Sequence, residues 1–237
     1  MYPIYKREMH AYLTSPTGYI FAAVLLAISG VIFSFTTVWM RTTDSSVYFT
    51  VMLFMFTVLI PILTMKLFSE ERKTRTEQIL LTSPVSIFGI VFAKFLAAFT
   101  LYAGTFAVSC FINFVSLRKV AEKALNFPQI MGNIVGILLV GGAFIAIGVF
   151  MSSLTENQAI AAVTTFGVIL AMLLIWLLPS FINSPVVREL IKWFSVIDRF
   201  TYFTHGIFSV TATVYFVSIA VIFLFLTMRV YEMRRWN

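Results

Sequence analysis

Long apolar stretches alternate with short polar connectors along this chain. The hydrocarbon core of a bilayer takes roughly 20 apolar residues at about 1.5 Å rise each. Six stretches meet that requirement: 18–39, 47–65, 87–114, 129–151, 158–178 and 207–228. Within them the only charge is Lys94, two turns into the third stretch. From there its stem is expected to snorkel, carrying the ammonium to the headgroups. Two further segments have a helical apolar period but lack the length to span. In 2–13, Tyr5, Met9, Tyr12 and Leu13 fall in one stripe beside Lys6, Arg7 and His10, as in a helix lying in the headgroup layer. In 185–197, Val186, Val187, Leu190, Ile191 and Phe194 form one face and Arg188, Glu189, Lys192 and Ser195 the other. This segment is expected on the outer membrane surface, or dipping into it. An ordinary juxtamembrane linker is the plain alternative for both.

Composition supports this pattern. Of 237 residues, 60% are hydrophobic and 11% charged, too little polar surface to clothe a soluble globule. The expected class is an all-α integral membrane protein with six transmembrane helices in one domain, 1–237. The first span is longer than a signal-peptide core, lacks a cleavage site and should be retained. The lone Cys110 sits in an apolar run, as a packed thiol does, and His10 and His205 are too few for a metal cluster.

Helix punctuation is also legible. Ser15-Pro16, Ser83-Pro84 and Ser184-Pro185 mark helix starts, with serine as cap and proline in the first turn. Pro61 is expected to kink the second span, and Gly132, Gly136 and Ala143 line a small-residue face of the fourth. The net charge of +7 belongs to helix ends, where it sets topology and meets anionic lipid, and does not point to nucleic acid. An even span count puts both termini on one side. With that side inside, ten Lys and Arg lie inside and seven outside, which favours cytoplasmic termini.

The connector 66–85, K-L-F-S-E-E-R-K-T-R-T-E-Q-I-L-L-T-S-P-V, holds seven of the 27 charged residues. Thr74 and Glu77 have capping-box spacing ahead of Ile79, Leu80 and Leu81, predicting a short helix, charged first and apolar afterwards. Its apolar end has no hydrocarbon to enter. Either a partner protein buries it or it tucks against its own bundle, and on physical grounds the two are even.

The connector resembles the permease subunits of type-2 ABC exporters, particularly the branch that includes the gliding-motility permeases. That family carries E-E-x-x-x-G-T-x-E-L-L-L-T-x-P-V after the second span, and Glu70, Glu71, Thr76, Leu80, Leu81, Thr82, Pro84 and Val85 match it. Ser15-Pro16-Thr17-Gly18-Tyr19-Ile20 is similar to the family's S-P-x-G-Y-I. Tyr215-Phe216 and the end of the chain, with Glu232, Arg234, Arg235 and Trp236, match as well. The likeness covers the whole chain. Arg75 replaces the usual glycine, which predicts a less sharp break there. His205, Ser209, Thr211 and Ala212 stand where the family often has arginine and aspartates.

The resemblance implies a permease of the bacterial cytoplasmic membrane, without catalytic, metal or cofactor residues of its own. It implies two copies of a separate ABC ATPase that binds ATP-Mg, a second permease (identical or related), and room for an accessory membrane subunit. A helix over 70–82 would be the coupling element docking on the ATPase. Leu80 and Leu81 would supply area, Glu70, Glu71, Arg72 and Glu77 orientation, and Thr76 belongs to the matched motif. The amphipathic start would pack beside it. No G-x-x-x-x-G-K-[S/T] occurs, so ATP hydrolysis belongs to the partner. A channel or scaffold whose connector binds another partner is the alternative, but the spans lack its expected row of ionisable residues. An intramembrane hydrolase would need a nucleophile with a base or metal, which the spans do not offer.

Overall fold

The computed structural model describes residues 1–40, 42, 44–78, 86–120, 126–182 and 184–236, with backbone alone at 119, 120 and 236. Every regular element among them is helical. Helix α1 (Tyr2–Thr14) is followed by α2 (Pro16–Phe33), which a π-helical turn, Ser34–Val38, prolongs. Then come α3 (Ser46–Thr64), α4 (Lys66–Lys73), α5 (Ile87–Val120), α6 (Phe127–Leu154) and α7 (Gln158–Leu174). A 3-10 turn, Ile175–Phe181, ends α7, and α8 (Pro185–Phe194), α9 (Val196–Thr204) and α10 (Val210–Trp236) complete the chain.

Six helices among the described residues are long and apolar enough to cross a membrane: Pro16–Val38, Ser46–Lys73, Ile87–Arg118, Phe127–Leu154, Gln158–Phe181 and Val210–Arg235. They coincide with the six expected stretches. The second differs most, because α4 continues α3 and carries the span into the charged connector. The last starts at Val210 rather than 207, after a turn at Gly206, whose φ of +72° suits glycine.

Helix α6 is the hub. Of its most apolar window 67% is buried, against 17% for α10. Its small residues explain the difference. A side chain on Gly136 would strike Phe200 and Phe203 of α9, and one on Gly132 would strike the Phe203 carbonyl. The expected small-residue face is therefore a seat for α9. Inside α2, α3 and α5, the buried Ser29, Tyr48, Ser109 and Asn113 bond one another. Ser29 Oγ lies 2.7 Å from the Tyr48 hydroxyl, and Asn113 Nδ2 donates to Ser29 Oγ at 3.0 Å. Asn113 is thus consumed in packing.

Local departures from the expected pattern have simple causes. Prolines occupy the first turns of α2 and α8, but neither Ser15 nor Ser184 caps an amide. Ser15 Oγ pairs instead with Thr17 Oγ1 at 2.7 Å. The Ser83-Pro84 start lies outside the described residues. Helix α3 runs past the buried Pro61 to Thr64, and the ladder is interrupted four residues later, at Met65. There Ser152 Oγ of α6 accepts from the Phe68 and Ser69 amides (3.1 and 3.2 Å) and donates to the Met65 carbonyl at 3.1 Å. The segment 185–197 is two helices, not one. Ser195 is extended, and its Oγ accepts from the Asp198 amide at 3.2 Å to start α9. The apolar residues of α8 are left largely outward: Val186, Leu190, Trp193 and Phe194 are exposed.

Candidate functional site

The connector's described part, with α1, α5 and the ends of α6 and α10, forms the end of the bundle that holds both termini. Helix α1 reaches it by folding back on α2. A Cβ on Gly18 would lie on the Tyr12 carbonyl, so only glycine permits that approach. Along α1 the inward column is Ile4, Glu8 and Tyr12 at steps of four, the helical repeat. Tyr5 and Met9 are half-buried at its flank, and Leu13 is exposed. The Tyr5 hydroxyl donates to Thr100 Oγ1 at 3.2 Å, and Tyr12 donates to the Leu63 carbonyl at 3.1 Å. Burial, then the nearby Glu8 carboxylate, pushes the Tyr12 phenol above its ordinary range. The stripe expected from Tyr5, Met9, Tyr12 and Leu13 is rotated toward Ile4 because a charge on the inward column has a buried partner.

That partner is Lys94. Its side chain is 1% exposed and does not snorkel. Its Nζ lies 3.1 Å from Glu8 Oε1 and 2.9 Å from Glu71 Oε1, and donates to the Leu67 carbonyl at 2.7 Å. It also sits 5.0 Å from the centre of the Phe68 ring. Arg7 bridges the same carboxylates, at 2.7 Å to Glu8 and 2.6 Å to Glu71. Burial opposes the charge on Arg7, but Glu8 and Glu71 outweigh it and hold its pKa above the ordinary value. Snorkelling fails here because three acceptors already surround the ammonium, a better solvent than a distant headgroup.

The remaining expected site residues divide into inward and outward sets. Arg72 Nε pairs with Glu156 at 3.0 Å, and its Nη1 donates to the Leu154 carbonyl at 2.8 Å. Glu77 is buried against Arg234 at 3.1 Å, whose Nη2 also donates to the Ser153 carbonyl at 2.8 Å. So Glu71, Arg72 and Glu77 hold the connector to its own bundle, while Glu70 and Thr76 face outward with Lys73 and Arg75. Leu80 and Leu81, with the rest of the matched L-L-T-x-P-V, lie outside the described residues. A cavity of about 280 Å³ opens between α1 and α4, lined by Glu8, Tyr12, Ser15, Lys66, Leu67 and Glu70.

The connector's helical backbone resumes at Glu77 and Gln78, with the rest of the expected helix outside the described residues, but Thr74 does not cap it. Helix α4 ends at Lys73, Thr74–Thr76 turn, and Arg75 takes a left-handed φ of 58°. The Thr74 hydroxyl bonds back to the Glu70 carbonyl at 2.9 Å, and does not cap the following turn. The break expected to be less sharp without glycine is fully made, with arginine carrying the conformation glycine favours. Sequence reasoning missed Glu8 and Arg7, which share the cluster with Lys94 and Glu71, and Arg234, the partner of Glu77. One signal was present: a lone ionisable residue inside a span asks for a named partner.

The chain matches the family model described as ABC-2 family transporter protein over residues 32–231. That is most of its length, and the protein belongs to the ABC-2 transporter family. It is a multi-pass membrane permease component of an ABC transporter. Members of this family are transport components, typically not catalytic themselves, and generally work with an ABC ATPase. A comparison with curated proteins gave no match.

Proposed function

We propose that the protein is the permease of an ATP-driven exporter of the gliding-motility type, in a bacterial inner membrane with both termini cytoplasmic. A second permease, identical or related, and two ATPase subunits complete the transporter, and ATP-Mg is bound in those partners alone. An accessory membrane subunit has room to join. The ATPase docks on the connector 66–85. The observation that carries this reading is the split of the connector's charges: Glu71, Arg72 and Glu77 brace it from behind, while Glu70, Lys73 and Arg75, with the uncharged Thr76, are presented outward. A segment held rigidly from behind can transmit a push to α3 and α5, the helices it joins, and so bias the bundle between inward-facing and outward-facing states.

The test is purification of the permease with its native partners into nanodiscs, followed by identification of any ATPase and by Mg-ATP turnover. A stoichiometric ATPase whose rate depends on the permease supports the reading, and absence of any ATPase overturns it. Leu80→Asp or Leu81→Asp should release the ATPase while leaving the membrane fold intact. Unchanged co-purification would remove the docking role from these leucines.

A further inference from the structure

Lys94 is the one fully buried cation among the described residues. Its three N–H bonds have three acceptors on two other elements: Glu8 on α1, Glu71 and the Leu67 carbonyl on α4. With Arg7 the cluster holds two positive and two negative groups. Such a cluster is poor evidence for stability as such, because desolvation offsets much of its attraction. It is good evidence for a fixed arrangement, because removing any one member leaves an unbalanced charge on the rest. The arrangement joins three elements that the chain alone leaves loosely related. Helix α1 is a separate N-terminal helix, α4 is the end of the second span, and Lys94 lies two turns into the third.

We infer that Lys94 is a positioning residue for coupling, clamping α1 and α4 onto α5 so that a push on the connector moves the three as one body. The inference rests on the proposed docking of an ATPase at the connector. A push reaches α5 first through the chain at Ile87 and again, two turns further on, at Lys94. Two points of attachment tilt a helix, whereas a single attachment at its end frays it. Helix α4 has its own hold on α6 through Ser152, so loss of Lys94 loosens α1, which keeps the Arg7–Glu71 pair and the hydrogen bonds of Tyr5 and Tyr12, without unseating α4.

The experiment uses the full chain in nanodiscs with its ATPase, in a Cys110→Ala background carrying Ile4→Cys, a buried position on α1. Maleimide labelling of Cys at position 4 reads the seating of α1, and Mg-ATP turnover reads coupling. Lys94→Met should speed labelling by about tenfold or more and abolish the permease dependence of turnover while the ATPase stays bound. Lys94→Arg should restore both, since it keeps the charge. The triple variant Glu8→Gln, Glu71→Gln, Lys94→Met removes every buried charge of the cluster and leaves only Arg7, whose side chain is 53% exposed. It should recover expression yet stay uncoupled, and it carries the test if Lys94→Met alone does not fold. Wild-type labelling and wild-type turnover in either of the two variants carrying Lys94→Met would overturn the inference, leaving Lys94 a packing residue. If no ATPase binds the unmutated chain, the docking reading fails, and labelling alone decides whether Lys94 seats α1.

Discussion

The two ends of the bundle are stitched with different chemistry. At the end that holds both termini, full charges are buried against half-buried partners: Lys94 with Glu8 and Glu71, and Glu77 with Arg234. At the opposite end, Gln129 Nε2 at the start of α6 reaches Asp44 Oδ1 (2.9 Å), Ser46 Oγ (2.8 Å) and the Thr204 carbonyl (3.1 Å). That knot also joins three elements, but its one charge, Asp44, is exposed. The contrast teaches what each end tolerates. Neutral amides and hydroxyls near water lose a bond and find another. A buried ion that loses its partner has nowhere to turn.

The largest effect is expected where the contrast is sharpest. Lys94→Met leaves two carboxylates sharing the half-exposed Arg7 alone and should lower stability by about 3–5 kcal/mol in detergent melts, most of it regained in the triple variant. If Lys94→Met melts like the parent, the buried cluster is no more demanding than the opposite knot. Next is Gly136→Val, which drives a side chain into Phe200 and Phe203 and should cost about 1–3 kcal/mol, read as a lower melting temperature. Gln129→Ala, at the neutral knot, should cost about 1 kcal/mol by the same measurement, and a loss as large as that of Lys94→Met would erase the distinction between the ends. Glu156→Gln breaks an ion pair whose carboxylate side chain is 61% exposed and should stay within about 1 kcal/mol.

The smallest effect is a pH dependence. Hydrogen bonds from the Ser46 hydroxyl and amide, then from Gln129, with His205 nearby, hold the Asp44 carboxyl below its ordinary range. A depressed pKa means the carboxylate's contribution is full above the unfolded value of about 3.9 and fades as pH falls through the lower folded one. Asp44→Asn should therefore melt slightly lower than the parent at neutral pH, with the gap closing below about pH 4. A gap that widens on acidification would reverse the assigned sign.

Residues 18–39 and 158–178 were legible as spans because length and apolarity are properties of a contiguous stretch, and the helices Pro16–Val38 and Gln158–Phe181 follow them closely. Gly132 and Gly136 were legible as a packing face because helical spacing alone aligns them. Lys94 was legible only as an anomaly. Its partners Glu8 and Glu71 lie 86 and 23 residues away in the chain, and nothing in a local window pairs them. Glu77 and Arg234 are 157 residues apart, and their union is likewise invisible to spacing. The connector helix expected from Thr74 and Glu77 starts late for a similar reason, at Glu77 after a turn over 74–76, and only its first two residues are described. Ser152 on a distant helix completes the junction at Met65, and the second span runs on to Lys73.

By itself, then, the amino-acid sequence determined an all-helical membrane protein with six spans and a charged connector after the second. Transfer of apolar side chains out of water depends on composition along each stretch and little on its neighbours. Tertiary structure alone decided which charges of the connector face inward, which residue takes the left-handed turn at Arg75, and that Lys94 is held by carboxylates. A buried ion is stable only beside its counter-ion within a few ångströms, and that distance exists only once α1, α4 and α5 have packed.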